Sequence, residues 1–244
     1  MGRGPSIEGR KNAEDAKRAK VFTKLIREIT VAARSGVVDP AGNPRLRSAV
    51  DKALSANMTK DTIERAIKRG SGADGGADMQ EVRYEGYGPG GVAIIIDCVT
   101  DNTTRAVADV RHALTKHGGN LGTNGSVSFQ FARTGEIVFA TGGDAAREEK
   151  ILEAALEAGA DDVVNEGGMS TVLCAGEHYH AVEEALKSAG LKAESSDLVM
   201  RPANRVAVPA EVEDTLRDLI EWLEELDDVH EIYHNAALTA PVEG

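Results

Sequence analysis

The chain has 244 residues, room for one large domain or two to three small ones, and its 41% apolar and 28% charged content is that of a soluble globular protein. Aromatics make up only 4%, so the cores must be built from Val, Ile, Leu and Ala. A net charge of −12 argues against a nucleic-acid partner until its placement is considered: residues 1–72 hold 16 Lys and Arg against 8 Asp and Glu, and the remainder holds 12 against 32. Phosphate attraction depends on the field at the contacting surface, so a local module at +8 can bind a polyanion that the rest of the chain, at −20, repels.

The basic segment reads as three helices. Between Glu14 and Arg34 the apolar residues Phe22, Leu25, Ile26, Ile29, Ala32 and Ala33 recur at spacings of three and four. At 100° per residue, Arg10, Lys17, Lys20, Lys24, Arg27 and Arg34 fall within roughly 120° of one another, opposite that apolar set. Asn43-Pro44 starts the second helix, Asn as cap and Pro at the first helical position, with Arg45 and Lys52 on one side. Thr59 caps a third helix, buried through Ile63, Ala66 and Ile67, which clusters Arg65, Lys68 and Arg69 and stops at Gly70. These eleven cations are the candidate nucleic-acid contacts. Reversing Lys20, Lys24 and Arg27 is expected to weaken binding without unfolding the protein. The Gly-rich stretch Ser71 to Asp78, where the charge changes sign, reads as a flexible linker that lets the basic head reorient.

Beyond it, strands are expected at Val82–Tyr87, Val92–Thr100 and Ser126–Phe131, with a helix at Thr103–His117. Strand Glu136–Ala140, helix Ala145–Ala158, strands Asp162–Asn165 and Thr171–Cys174, helix Tyr179–Ser188 and strand Ala193–Met200 follow in ferredoxin-like β-α-β-β-α-β order. A long helix at Pro209–Leu226 and a strand at Val229–His234 complete the chain. The fold class is therefore α+β, a helical N-terminal domain and two ferredoxin-like domains, one inserted in the other. The expected domains are 1–76; 80–133 together with 204–238, a permuted unit; and the inserted 134–203.

Little in the sequence marks catalysis. The turn Gly86 to Gly91 lacks the Lys-Ser/Thr of a phosphate-binding loop and runs into a strand. The Gly/Asn loop Gly118 to Ser126 offers backbone N–H groups but reads as a connection. Neither the His178/His180 pair nor the His230/His234 pair has a third ligand nearby, and no nucleophile is marked, so neither a metal nor a cofactor is expected. Cys98 and Cys174 lie in apolar runs and read as buried free thiols. The longest apolar run, Val92 to Ile96, cannot span a bilayer, and no secretory h-region is visible, so a cytoplasmic protein without membrane contact is expected; it is also expected to be a monomer. The turn residues Tyr87, Gly88 and Pro89 and the acidic helix end with Glu224 and Asp228 are candidate surfaces for a ribosomal or transcription protein.

Several motifs in order carry a resemblance over nearly the whole length: Asp15 to Ile29, Asn43 to Arg47, Met58 to Gly70, Tyr84 to Gly91, Asp101-Asn102 with Arg105, and Gly118 to Gly122 through Val127. Together they are similar to the YebC/PmpR family. The resemblance implies a three-domain, non-enzymatic protein of a family commonly labelled DNA-binding transcriptional regulators, whose mitochondrial relatives activate translation and for which a role on the ribosome in relieving stalls has been proposed. Many members open with a His-Ser-Lys-Trp stretch, whereas this chain has Pro5-Ser6-Ile7-Glu8. Promoter DNA and ribosomal RNA both stay open as the partner of residues 1–72. An enzyme using the Gly-rich loops is the weaker alternative.

Overall fold

A computed structural model describes residues 7–73 and 78–239, with side chains from Lys17 onward. Three helices open it: α1 (Ile7–Ser35), α2 (Pro44–Ser55) and α3 (Lys60–Gly70). Asn43 joins the first two. Its Oδ1 accepts from the Leu46 amide at 3.0 Å, and its Nδ2 donates to the carbonyls of Ala32 and Val37 at 2.8 and 2.9 Å. A buried amide is thereby fully used, and the end of α1 is fixed to the start of α2. Thr59 caps α3 through the Thr62 amide. Ile29, Ala32, Ala33, Leu46, Ala49, Ala53, Ile63 and Ala66 form the shared core.

Strands β1 (Gln80–Tyr87) and β2 (Ala93–Thr100) form an antiparallel hairpin, followed by α4 (Thr103–Lys116) and the two-residue strand β3 (Asn120–Leu121). Later in the chain, α7 (Ala210–Glu225) and β9 (Val229–His234) complete a four-stranded sheet in the order β3-β1-β2-β9. The intervening strand β4 (Phe131–Ala140), α5 (Ala145–Glu157), β5 (Asp162–Glu166), β6 (Met169–Ala175), α6 (Tyr179–Ser188) and β7 (Ser195–Pro202) form a second sheet, β5-β6-β4-β7. That is the ferredoxin-like order, the first and third strands central. Its core is Ile137, Phe139, Ile151, Val172, Tyr179, Val182 and Leu186. Short strands β8 (Val206–Ala207) and β10 (Ala236–Ala237) pair in parallel. The chain divides into two compact units: residues up to Ser126 with Val208–Ile232, and Val127–Ala207 with residues from Tyr233 onward.

Two local expectations are corrected. The alternation Ser126 to Phe131 is not a strand. Ser128–Gln130 make a 3-10 turn, and β4 begins at Phe131. The strand of this region lies earlier, at Asn120–Leu121, inside the segment read as a loop. It pairs with Gly86 and Tyr87 of β1. That approach requires glycine: a Cβ on Gly86 would sit 2.5 Å from the Asn120 carbonyl oxygen, and one on Gly119 2.3 Å from that of Tyr87. Both cysteines are free and buried, and burial pushes the Cys98 thiol up to about 12.

Where α3 ends against α1, Gly70 leaves the least room for a side chain among the glycines of the helical module. A Cβ there would lie 2.3 Å from the Thr30 carbonyl oxygen and 2.8 Å from the Ala33 Cβ. Alanine ordinarily favours a helix by about 1 kcal/mol over glycine. Here the clash with backbone should outweigh that gain, and Gly70→Ala should lower the stability by about 2 kcal/mol in urea unfolding.

Candidate nucleic-acid interface

The basic ridge of α1 is not a free surface. Lys20 forms an ion pair with Glu225, and Lys24 donates to the Glu224 carbonyl at 3.3 Å, both at the C-terminal end of α7. Unsatisfied carbonyls and acidic side chains at that helix end make a cation-binding terminus. Arg27 goes deeper. Its guanidinium donates to the Val99 carbonyl at 2.9 Å, to the Asp227 carbonyl and to the Asp228 carboxylate at 3.0 Å. Its side chain is only 15% exposed. From the next helix Arg45 reaches Glu28 at 2.7 and 3.0 Å and Glu81 of β1 at 2.6 Å. His230 of β9 also approaches Glu28, at 3.3 Å.

Asp228 is the centre of this joint. Its carboxylate, 6% exposed, takes Arg27 from α1 and a two-pronged contact from Arg105 of α4, both prongs at 2.9 Å; Arg105 also pairs with Asp101. Burial opposes ionisation of Asp228, but the hydrogen bonds from Arg105 and Arg27 outweigh it and hold the carboxyl below its ordinary value. Glu28 follows the same logic more strongly. Burial would raise it, yet hydrogen bonds from His230 and Arg45 bring it to about 2. For Lys24, burial lowers the ammonium despite the nearby Glu231 and Glu224.

Several expected site residues therefore change role. Lys20, Lys24, Arg27 and Arg45 hold the helical module to the first sheet and α7, so reversing Lys20, Lys24 and Arg27 would break the joint rather than leave the fold intact. Asp228 is buried and cannot be part of a partner-facing acidic surface. Glu224 contributes its carbonyl to Lys24. The expectation of a head held only through Ser71 to Asp78 is corrected by these ion pairs. Residues 74–77 of that stretch, and the side chain of Arg10, lie outside the described residues. Tyr87 donates to the Ser126 carbonyl at 3.2 Å. Gly88 is buried against Ile94, Leu216 and Leu219, and Pro89 begins a 3-10 turn packed on α7, so this turn belongs to the core wall.

What stays on the surface is a smaller set. Lys17, Lys52, Lys68 and Arg69 are exposed. Arg65 is exposed as well, beside Asp61 in an i,i+4 pair. Arg34, which pairs with Asp78, and Arg69 line an open cleft of about 510 Å³ where α1 and α3 end, with Thr30, Gly70 and Met79 among its walls. Surface pairs such as Arg34–Asp78 and Arg65–Asp61 contribute little stability and exchange readily for another anion.

The glycine-rich loop does not form an anion cradle. The amide of Gly125 already donates to the buried Glu85 carboxylate at 2.9 Å and that of Gly122 to the Glu85 carbonyl at 2.8 Å. Among the described residues no group of three or more His, Cys, Asp or Glu is placed to hold a metal ion. His234 instead accepts from the Ala236 amide at 3.2 Å. Among the described residues no helix is long and apolar enough to cross a membrane. Sequence reasoning missed Glu28 and Glu81. The available signal was that Glu28 is the single carboxylate between Lys17 and Arg34.

An α+β chain with a basic helical module locked onto an acidic body matches two family descriptions. Residues 4–73 match the TACO1/YebC protein N-terminal domain, and residues 79–236 match the TACO1/YebC second and third domain. The chain belongs to the TACO1/YebC family. A relative from Stenotrophomonas maltophilia, named "Probable transcriptional regulatory protein", is 57% identical over 242 residues, 98% of each chain. One of the same name from Xanthomonas campestris pv. campestris is 56% identical over 237 residues, 96% of this chain and 97% of the relative. The crystal structure of a conserved hypothetical protein from Aquifex aeolicus superposes with a TM-score of 0.84 at 42% identity, covering 94% of both chains.

The lowered carboxyl of Glu28 fixes the sign of one pH effect. Its stabilisation is fully present above the ordinary value of 4.5 and is lost as pH falls through that value toward about 2. Glu28→Gln should be less stable than the native chain near neutral pH by about 3 kcal/mol. The gap should close as the pH is lowered to about 2, as read from urea midpoints of both proteins across that range.

Proposed function

We propose that this protein is a non-enzymatic, nucleic-acid-binding regulator of gene expression, acting in the cytoplasm, that meets phosphate through the exposed cations of residues 1–72. The observation that carries this reading is the cleft at the ends of α1 and α3, where Arg34 and Arg69 stand together with Lys68 exposed beside them. Guanidinium forks suit phosphate oxygens and place little demand on base identity. The names of the relatives, transcriptional regulators, support the same class. The absence of an enzymatic role is supported by the way the Gly-rich loop is occupied by Glu85.

Ribosomal RNA is the second reading for the partner. It is favoured by the inward turn of the α1 ridge onto α7, which leaves cations scattered over three helices rather than one basic helix to lie in a major groove. A structured RNA, with phosphates facing several directions, fits such a surface.

Binding of the full chain to a promoter duplex and to a ribosomal RNA fragment, compared at one salt concentration, separates the two. With either partner, Lys68→Glu combined with Arg69→Glu should weaken binding at least tenfold and flatten the dependence of log affinity on log salt by about two units. Unchanged affinity and slope, with helical content intact, would remove the cleft from the interface.

A further inference from the structure

The second unit presents an aromatic ring that its own packing does not need. Phe129 is 76% exposed, the most exposed large apolar side chain among the described residues, in a chain with only four phenylalanines. Its exposure is not that of a frayed loop. The 3-10 turn Ser128–Gln130 is held at its end, where the Gln130 carbonyl accepts from the Ala203 amide at 2.8 Å and the Gln130 Oε1 from Asn235 Nδ2 at 3.2 Å. Immediately after it, Phe131 enters β4 opposite Pro202. Three separate segments of the same unit thus meet here, two of them holding the turn carried by the first.

Those segments share an unusual charge. Residues 127–135, 198–207 and 233–239 contain Arg133, Arg201 and Arg205 and no Asp or Glu, within a chain of net −12. Arg205 is exposed and gives one N–H to the Ala236 carbonyl at 3.2 Å. Arg201, 40% exposed, pairs with Glu136, the one carboxylate facing it from β4. Burial, with Arg205 nearby, lowers the His234 imidazole, so the positive charge of this corner comes from guanidinium groups. Apart from Phe129 the corner exposes little large apolar surface, Val206 at 38% being the other case, too little for a protein docking patch. A held aromatic ring, with Arg205 on Ala236 next to the Asn235 that ties its turn, is instead an arrangement that can stack a base and take its phosphate.

We infer that this corner of the second unit is a contact for single-stranded nucleic acid, with one unstacked base on the Phe129 ring and the adjoining phosphate at Arg205. The inference rests on the nucleic-acid reading above and adds a second contact on the acidic body. It also reverses the simplest consequence of the charge split, that only residues 1–72 face a polyanion.

The test compares the full chain bound to a blunt fluorescent RNA duplex and to the same duplex carrying a short single-stranded tail, by anisotropy at one salt concentration. The native protein should bind the tailed duplex tighter by about tenfold. Phe129→Ala should abolish that increment and leave blunt-duplex affinity unchanged, Phe129→Tyr should keep it, and Arg205→Glu should reduce it. The ring is mostly solvent-facing, so these variants should fold, which helical content checks. An increment retained in both Phe129→Ala and Arg205→Glu overturns the inference and leaves Phe129 to a protein partner. Equal weakening of both duplexes by Phe129→Ala overturns it as well. If the native chain binds the blunt duplex but gains nothing from the tail, this contact fails and the head reading stands. If it binds neither, the nucleic-acid reading falls too.

Discussion

The buried carboxylate of Asp228 ties the helical module to the rest of the first unit. At the turn between α7 and β9 it is 6% exposed, and a charge so desolvated is tolerable only when it is paired and hydrogen-bonded on all sides. Arg27 and Arg105 do this from helices α1 and α4, and Arg27 at the same time takes the backbone carbonyls of Val99 and Asp227. Three distant stretches of sequence meet in one cluster. The orientation of the helical module follows from it: Lys20 and Lys24 then fall on the C-terminal end of α7, and Arg45 bridges Glu28 and Glu81.

This joint changes the meaning of the charge asymmetry. A segment at +8 and a remainder at −20 suggest a basic head that seeks an external polyanion. Part of that attraction is met inside the molecule, because α7 ends in Glu224 and Glu225, with Asp227 and Asp228 in the turn that follows, where α1 carries Lys20, Lys24 and Arg27. The acidic helix end occupies the ridge as a phosphate backbone would. Of the cations that remain on the surface, Arg34, Lys68 and Arg69 gather at the ends of α1 and α3, Lys17 and Lys52 lie elsewhere on α1 and α2, and the corner around Phe129 carries Arg205. In the proposed role, the contacts with nucleic acid therefore fall on these smaller sets rather than on the longest basic helix.

Local chemistry made much of the fold readable. Asn43 and Thr59 cap the helices they precede because a short side-chain acceptor answers the first free amides, a signal contained within four residues. The β-α-β-β-α-β run was legible from periodicity, and α6 and β9 have the limits that their apolar pattern suggests. The alternation of Val127, Phe129 and Phe131 misled, since only the first and last are buried, and Gln130 is tied to Ala203 and Asn235, which no local pattern reveals. The roles of the cations were the least legible part. A lysine or arginine opposite an apolar stripe has the same sequence signature whether it faces water, phosphate or a carboxylate two hundred residues away. Arg27 and Asp228 illustrate it: helical geometry placed Arg27 correctly on its face of α1, and only tertiary contact decided what that face meets.

Arg27 and Asp228 couple the helical module to the α7–β9 turn of the same unit. A double-mutant cycle with Arg27→Ala, Asp228→Ala and the double variant, read by urea unfolding of the full chain, measures that coupling directly. The structure predicts a favourable interaction energy of about 2 kcal/mol or more, within the range of contacting residues in a buried ion network. Additive effects of the two substitutions, a coupling within about 0.3 kcal/mol of zero, would contradict it and return the head to a loosely tethered module.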